Sequence, residues 1–189
     1  IGKTKIGGKN PVFIVAEIGI NFNGKYENAL KLIDAAAYAG CNAVKFQLFF
    51  AEWMYPPNAG NDASGLGRKK NIYRIVKNAE LPVSWIPTLK SYANKKGLEF
   101  FCTVCEEKGA DILKKLNMPA FKFASYEISH IPLLRYVAAF QKPIIFSCGA
   151  AEIQEIAEAL ALFREEKNRQ IALLHCIAEY GAPVSRLNL

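Results

Sequence analysis

No apolar run in this sequence reaches the roughly 18 residues that a membrane-spanning helix requires. Unbroken runs such as residues 35–40 and 143–146 have the length of core elements. The N-terminal Ile1-Gly2-Lys3-Thr4-Lys5 lacks the apolar stretch of a secretory signal. Cysteine is sparse and odd in number: Cys41, Cys102, Cys105, Cys148 and Cys176 are too few for a disulfide scaffold in 189 residues. Histidine is scarcer still, with only His130 and His175, so Cys102-x-x-Cys105 has neither a second cysteine pair nor a histidine pair to complete a zinc site. No Gly-x-Gly-x-x-Gly or Walker loop follows the first apparent strand. These absences argue against a membrane partner, a secreted disulfide fold and a nucleotide-binding sheet. They imply a reduced, cytoplasmic globular protein.

Hydrophobic residues make up 51% and charged residues 22% of the chain, which excludes a disordered or low-complexity chain. Its length suits one domain. The 24 basic against 17 acidic residues leave a net charge of +7. The one dense basic cluster is Arg68-Lys69-Lys70; the other Lys and Arg are spread through apparent helices beside Glu and Asp. Such a distribution reads as solvated helix faces rather than a nucleic-acid surface, and it leaves an anionic small molecule as the expected partner.

One pattern recurs along the chain. Nearly continuous apolar runs at residues 12–18, 43–48, 98–104, 120–124, 143–147 and 171–176 read as strands covered on both faces. Between them lie helical patterns. Ala29, Leu30, Ile33, Ala36 and Ala37 lead to Gly40, and further helices are predicted over residues 87–96, 106–116, 132–139 and 151–166. In the last of these, Ile153, Ile156, Ala157, Leu160 and Phe163 share one face. Strict alternation predicts parallel strands with helical crossovers, in a doubly wound sheet or a (β/α)8 barrel. Lysines inside strands favour the barrel, where strand ends gather round one mouth. The count is six units where a barrel has eight, so the chain is a portion of a barrel or an open sheet. Residues 49–80 are too long for an ordinary connection and read as a functional loop.

Polar residues sit on or beside these strands. Glu17, after Phe13-Ile14-Val15-Ala16, suits general acid or base work, or else ties down a neighbouring lysine. Lys45 and Gln47, two apart on a strand, share a face, and Lys122 is placed likewise on a later strand. Two such lysines point to phosphate or carboxylate, with an internal ion pair to Glu17 or Glu127 as the alternative. Thr103, Ser125 and Ser147 end three strands. Singly each reads as a helix cap; together with the lysines they make a phosphate cradle. Cys102 and Cys105 straddle a strand end and read as packing residues, and His175 as a structurally satisfied histidine.

Five ordered segments carry a resemblance. They are Ala16-Glu17-Ile18-Gly19-Ile20-Asn21-Phe22-Asn23-Gly24, Val44-Lys45-Phe46-Gln47, Phe121-Lys122-Phe123-Ala124-Ser125, Ile145-Phe146-Ser147-Cys148-Gly149 and Leu174-His175-Cys176 with Glu179-Tyr180. The chain resembles the sialic acid synthase family over essentially its whole length. The resemblance implies a barrel that condenses phosphoenolpyruvate with an N-acetylated aldose such as N-acetylmannosamine, giving a nine-carbon 2-keto sugar acid and phosphate. It implies that Glu17 is the catalytic acid or base, and that Lys45, Thr103, Lys122, Ser125 and Ser147 hold phosphoenolpyruvate. Gln47, Glu127 and Tyr180 would face the sugar. It also implies a divalent metal, Mn2+ or Mg2+, whose ligands lie on later strands outside residues 1–189, and a C-terminal antifreeze-like domain in a full-length homodimer. On that basis residues 1–189 form the N-terminal portion of the barrel and do not turn over alone.

Several positions depart from the family pattern. Phe22 stands where a histidine is common, Cys148 replaces a frequent threonine and Val104-Cys105 a frequent Pro-Phe. Ala178 lies where Ser or Asn often approaches the phosphoenolpyruvate, and Gly181 replaces a proline. Two other readings compete: an aldolase forming a Schiff base on Lys45 or Lys122, and a barrel that only binds sugar or phosphate.

Overall fold

The computed structural model of the chain describes residues 1–61, 70–179 and 181–188. Arg68, Lys69 and Tyr180, singled out in the sequence, lie outside the described residues, as does part of the long connection over residues 49–80. The elements are, in order, β1 (Val15–Gly19), α1 (Tyr26–Tyr38), β2 (Ala43–Leu48), α2 (Ala51–Met54), α3 (Ile72–Ala79), α4 (Ile86–Lys95) and β3 (Glu99–Val104), then α5 (Glu107–Lys115), β4 (Phe121–Phe123), α6 (Ile131–Ala138), β5 (Ile144–Ser147), α7 (Ile153–Glu165) and β6 (Ile171–Leu174). Among the described residues six strands alternate with helices, and β1 with β2, β4 with β5, and β5 with β6 pair in parallel. This is an α/β fold of the (β/α) barrel type, incomplete at six strands. The chain condenses into two compact units, Lys3–Cys102 and Thr103–Leu189 together with Ile1–Gly2.

In the first unit, β1 pairs with β2 in the register Val15↔Ala43, Ala16↔Val44 and Glu17↔Lys45, then slips so that Gly19 meets Phe46. The strand begins at Val15 rather than Val12, because Val12 is 83% and Ile14 51% exposed. Ile14 instead exchanges bonds with Asn42 just before β2: its N–H donates to Asn42 Oδ1 at 2.7 Å, and its carbonyl accepts from Asn42 N at 2.8 Å. Val44, Phe46 and Leu48 of β2 are fully buried. Phe46 stacks on Phe100 at 5.2 Å between ring centroids and meets Phe22 at 6.1 Å; Trp85 packs edge-on to Phe22 and Tyr26. Burying each such ring stabilises by roughly 1.5–3 kcal/mol. Lys45 and Gln47, on the alternate positions, are thereby turned to the other side of the strand. α1 buries Ala29, Ile33 and Ala36, at helical spacing. Its Asp34 ties it to α4, accepting from Tyr92 Oη at 2.8 Å and pairing with Lys96 at 2.7 Å.

The connection over residues 49–80 is not a structureless loop. It contains α2 and α3, and Glu80 Oε1 accepts from the first backbone N–H of α2, Ala51, at 2.7 Å. Asn71 caps α3 by accepting from Arg74 N at 3.1 Å. In α3, Ile72, Ile75, Val76 and Ala79 are half-buried at helical spacing, while Arg74, Lys77 and Asn78 are exposed.

The second unit centres on aromatics. Phe123 meets Phe146 edge-on at 5.9 Å, Phe146 meets Phe163 at 6.0 Å, and Phe121 meets Phe140 at 5.4 Å. α7 buries Ala159, Leu162 and Phe163. The stripe expected through Ile153 is therefore displaced: Ile153 is 87% exposed at a helix start where Glu152 and Glu155 form a capping box. β6 ends at Leu174, two residues before the expected Cys176, and its Leu173 and Leu174 are exposed rather than covered on both faces.

Candidate active site

Of the residues singled out in the sequence, the structure brings Glu17 and Lys45 together in the first unit and Lys122 and Ser147 together in the second. In the first unit, the side-by-side register of Glu17 and Lys45 brings their side chains into an ion pair between Glu17 Oε2 and Lys45 Nζ. Lys45 is buried, whereas the Glu17 side chain is half-exposed. Of the two readings of Glu17, pairing with a lysine is thus realised, while its exposure leaves the carboxylate open to a ligand. Gln47 lies two residues beyond Lys45, on the same side of β2. Gly19 leaves room for the Glu17 carboxylate. A Cβ there would lie 2.9 Å from Glu17 Oε1 and 3.7 Å from Gln47 Nε2, and its φ of +55° is one that side chains rarely adopt. The fully buried Cys102 senses both charges. Burial pushes its thiol up to about 12, Lys45 pulls it down and Glu17 pushes it up.

In the second unit, Lys122 is buried between Phe121 and Phe123 on β4. Its Nζ donates to Phe123 O at 2.6 Å and to Ser147 Oγ, at the end of β5, at 2.5 Å. Ser125 Oγ accepts from Gly149 N at 3.1 Å, so this hydroxyl ties the end of β4 to the end of β5 instead of capping a helix. Gly149 is required there: a Cβ would stand 2.7 Å from Cys176 O. Thr103 is buried near the end of β3. Glu127 is buried in the 3-10 turn Ser125–Ser129, with Oε2 3.2 Å from His130 Nδ1. Burial pushes its carboxyl up, His130 pulls it back and Glu106 pushes it further up. Gly19, Gly149 and His130 were not anticipated as site residues. A glycine at or just beyond the end of a strand is the signal that could have found the first two.

The remaining motifs play structural parts. Cys102 is sealed in β3, and Cys105 Sγ approaches Tyr126 Oη at 3.7 Å, so the Cys-x-x-Cys spacing makes no paired redox centre. His175 Nε2 meets Leu187 O at 2.6 Å. Among the described residues, no three His, Cys, Asp or Glu side chains gather as a metal ion would need.

The NeuB family profile fits residues 32–189 of the chain. The chain belongs to the NeuB family. Among its relatives, this NeuB chain is 47% identical over 189 residues to the spore coat polysaccharide biosynthesis protein SpsE of Bacillus subtilis, matching all of this chain and 51% of that protein. It is 36% identical over 181 residues to the N,N'-diacetyllegionaminic acid synthase of Campylobacter jejuni, covering 93% of this chain and 54% of the relative. A crystal structure of N-acetylneuraminic acid (sialic acid) synthetase from Leptospira borgpetersenii, in complex with citrate, matches with a TM-score of 0.88 and 35% identity. That match covers all of this chain and 62% of the other. The chain spans about half the length of the curated relatives it matches.

Proposed function

We propose that the protein carrying this NeuB chain is a cytoplasmic, homodimeric synthase that joins phosphoenolpyruvate to an N-acetylated aldose. The observation that carries this reading is the buried Lys122 amine of β4 held on Ser147 Oγ at the end of β5, an amine and a hydroxyl side by side. Such a pair suits the phosphate or carboxylate of a small anion. The relatives named as sialic-acid-type synthases support the same reading.

The reaction balances as phosphoenolpyruvate, aldose and water giving a 2-keto sugar acid and inorganic phosphate. C3 of the enolpyruvate forms a bond to the aldehyde carbon. Water adds at C2, and the C2–O bond to phosphate breaks. Lys45, Thr103, Lys122, Ser125 and Ser147 hold the donor. Glu17, half-exposed beside the Lys45 ammonium, moves a proton to or from the water and the aldehyde oxygen. Gln47, Glu127 and Tyr180 orient the sugar hydroxyls and N-acetyl group. The divalent metal is assigned to residues beyond this chain.

The test is phosphate release by the intact protein with manganese, phosphoenolpyruvate and a panel of N-acetylated hexoses, together with mass detection of the nine-carbon acid. Release that depends on one sugar is the expected result. No release with any N-acetylated hexose contradicts the reading.

A further inference from the structure

Glu127 and His130 belong to one turn after β4. Within it Glu127 N donates to Ala124 O at 3.1 Å, and His130 N to Glu127 O at 2.9 Å. His130 is the residue before α6, but its side chain does not cap that helix. Its Nδ1 stands instead 3.2 Å from Glu127 Oε2. The two side chains differ sharply in exposure, 6% for Glu127 against 45% for His130. A buried carboxylate is costly without a cation or hydrogen-bond donors. Histidine is the side chain whose charge ordinarily changes between about pH 5 and 8. The other charge that Glu127 senses comes from Glu106, ahead of α5. Glu106 Oε2 accepts from Gly109 N at 2.7 Å, while its buried Oε1 has no hydrogen-bond partner. A second carboxylate thus pushes against Glu127, and the His130 ring stands at hydrogen-bond distance from it.

We propose that His130 is a positioning residue that holds Glu127 Oε2 in place and supplies the positive charge its buried carboxylate needs, so that sugar binding through Glu127 depends on the charge of His130. The consequence for the sugar rests on the reading that Glu127 faces it. The link between the two residues does not. Without His130, burial and Glu106 act on Glu127 unopposed, and the carboxyl keeps its proton to higher pH.

The experiment has two arms on the intact protein. The first follows the Glu127 side-chain carboxyl by carbon-13 NMR over a pH titration, with the resonance assigned through Glu127→Gln. The expected midpoint moves to higher pH in His130→Ala and returns toward wild type in His130→Lys, which restores a cation but not the ring. A midpoint unmoved by His130→Ala overturns the proposal. The second arm measures KM for N-acetylmannosamine, or for whichever N-acetylated hexose the protein uses, against pH. His130→Ala is expected to raise that KM roughly tenfold on the acid side, the loss of one hydrogen bond to a charged group, with kcat little changed. A moved midpoint with an unmoved KM supports the His130–Glu127 link and overturns the sugar-facing role of Glu127.

Discussion

Glu17 and Lys45 stand opposite each other on neighbouring parallel strands, and their side chains join in an ion pair of which only the carboxylate end reaches solvent. The lysine is fixed by the strand and the carboxylate is left open to a ligand. Glu17→Gln keeps the shape and removes the charge. Because Glu17 is half-exposed, stability should fall by only about 1 kcal/mol, read by urea denaturation. Activity should fall by about 100-fold or more, as for loss of a general acid or base. A large stability loss with full residual activity would make Glu17 a structural partner only.

Cys102 offers a check on the first unit. Its thiol is pushed up to about 12 by complete burial. At pH 8 a disulfide reagent should label the other cysteines before Cys102, and Cys102 should react only on unfolding. Peptide mapping by mass spectrometry reads the order. Early labelling of Cys102 would mean that β3 is not packed as described.

Phe22 is fully buried between Phe46 and Trp85. Phe22→Ala should cost about 3–5 kcal/mol through lost burial and the cavity left behind, measured as a lower Tm and a lower urea midpoint. A change below about 1 kcal/mol would place Phe22 outside the core.

Asp34 gives a pH dependence with a definite sign. Its carboxyl is held below the ordinary 3.8, first by the Lys96 hydrogen bond and then by that of Tyr92. The folded state therefore binds this proton less tightly than the unfolded state. The stability it contributes is present above pH 3.8 and is lost as pH falls through the lower folded value. Asp34→Asn should flatten the slope of stability against pH below 3.8, seen in urea titrations at several pH values. An unchanged slope would contradict the tie between α1 and α4.

Much of this was legible in the sequence, and the exceptions share a cause. β2 emerges at its expected bounds because Val44, Phe46 and Leu48 alternate with Lys45 and Gln47, and a packed face enforces that period. Val12 and Ile14 are equally apolar yet exposed, since β-branched composition records propensity and not coverage. Ile153 misleads in the same way on α7, where a solvent-facing capping box sets the helix start. The hydroxyls show a similar split. Ser147 meets Lys122 as a cradle would need, but Ser125 is engaged by Gly149 N, a contact between separate strand ends that no local spacing encodes. The Glu127–His130 pair lies three residues apart in plain view, and only the turn around it explains why the two side chains meet.

The account stands on Lys122 as the anchor of an anionic donor, and calorimetric titration of phosphoenolpyruvate into the intact protein tests it most directly. Lys122→Met should keep the fold by circular dichroism and weaken binding at least tenfold, the loss of a charge-assisted contact, and Ser147→Ala should weaken it by less. Wild-type affinity in Lys122→Met would contradict the account.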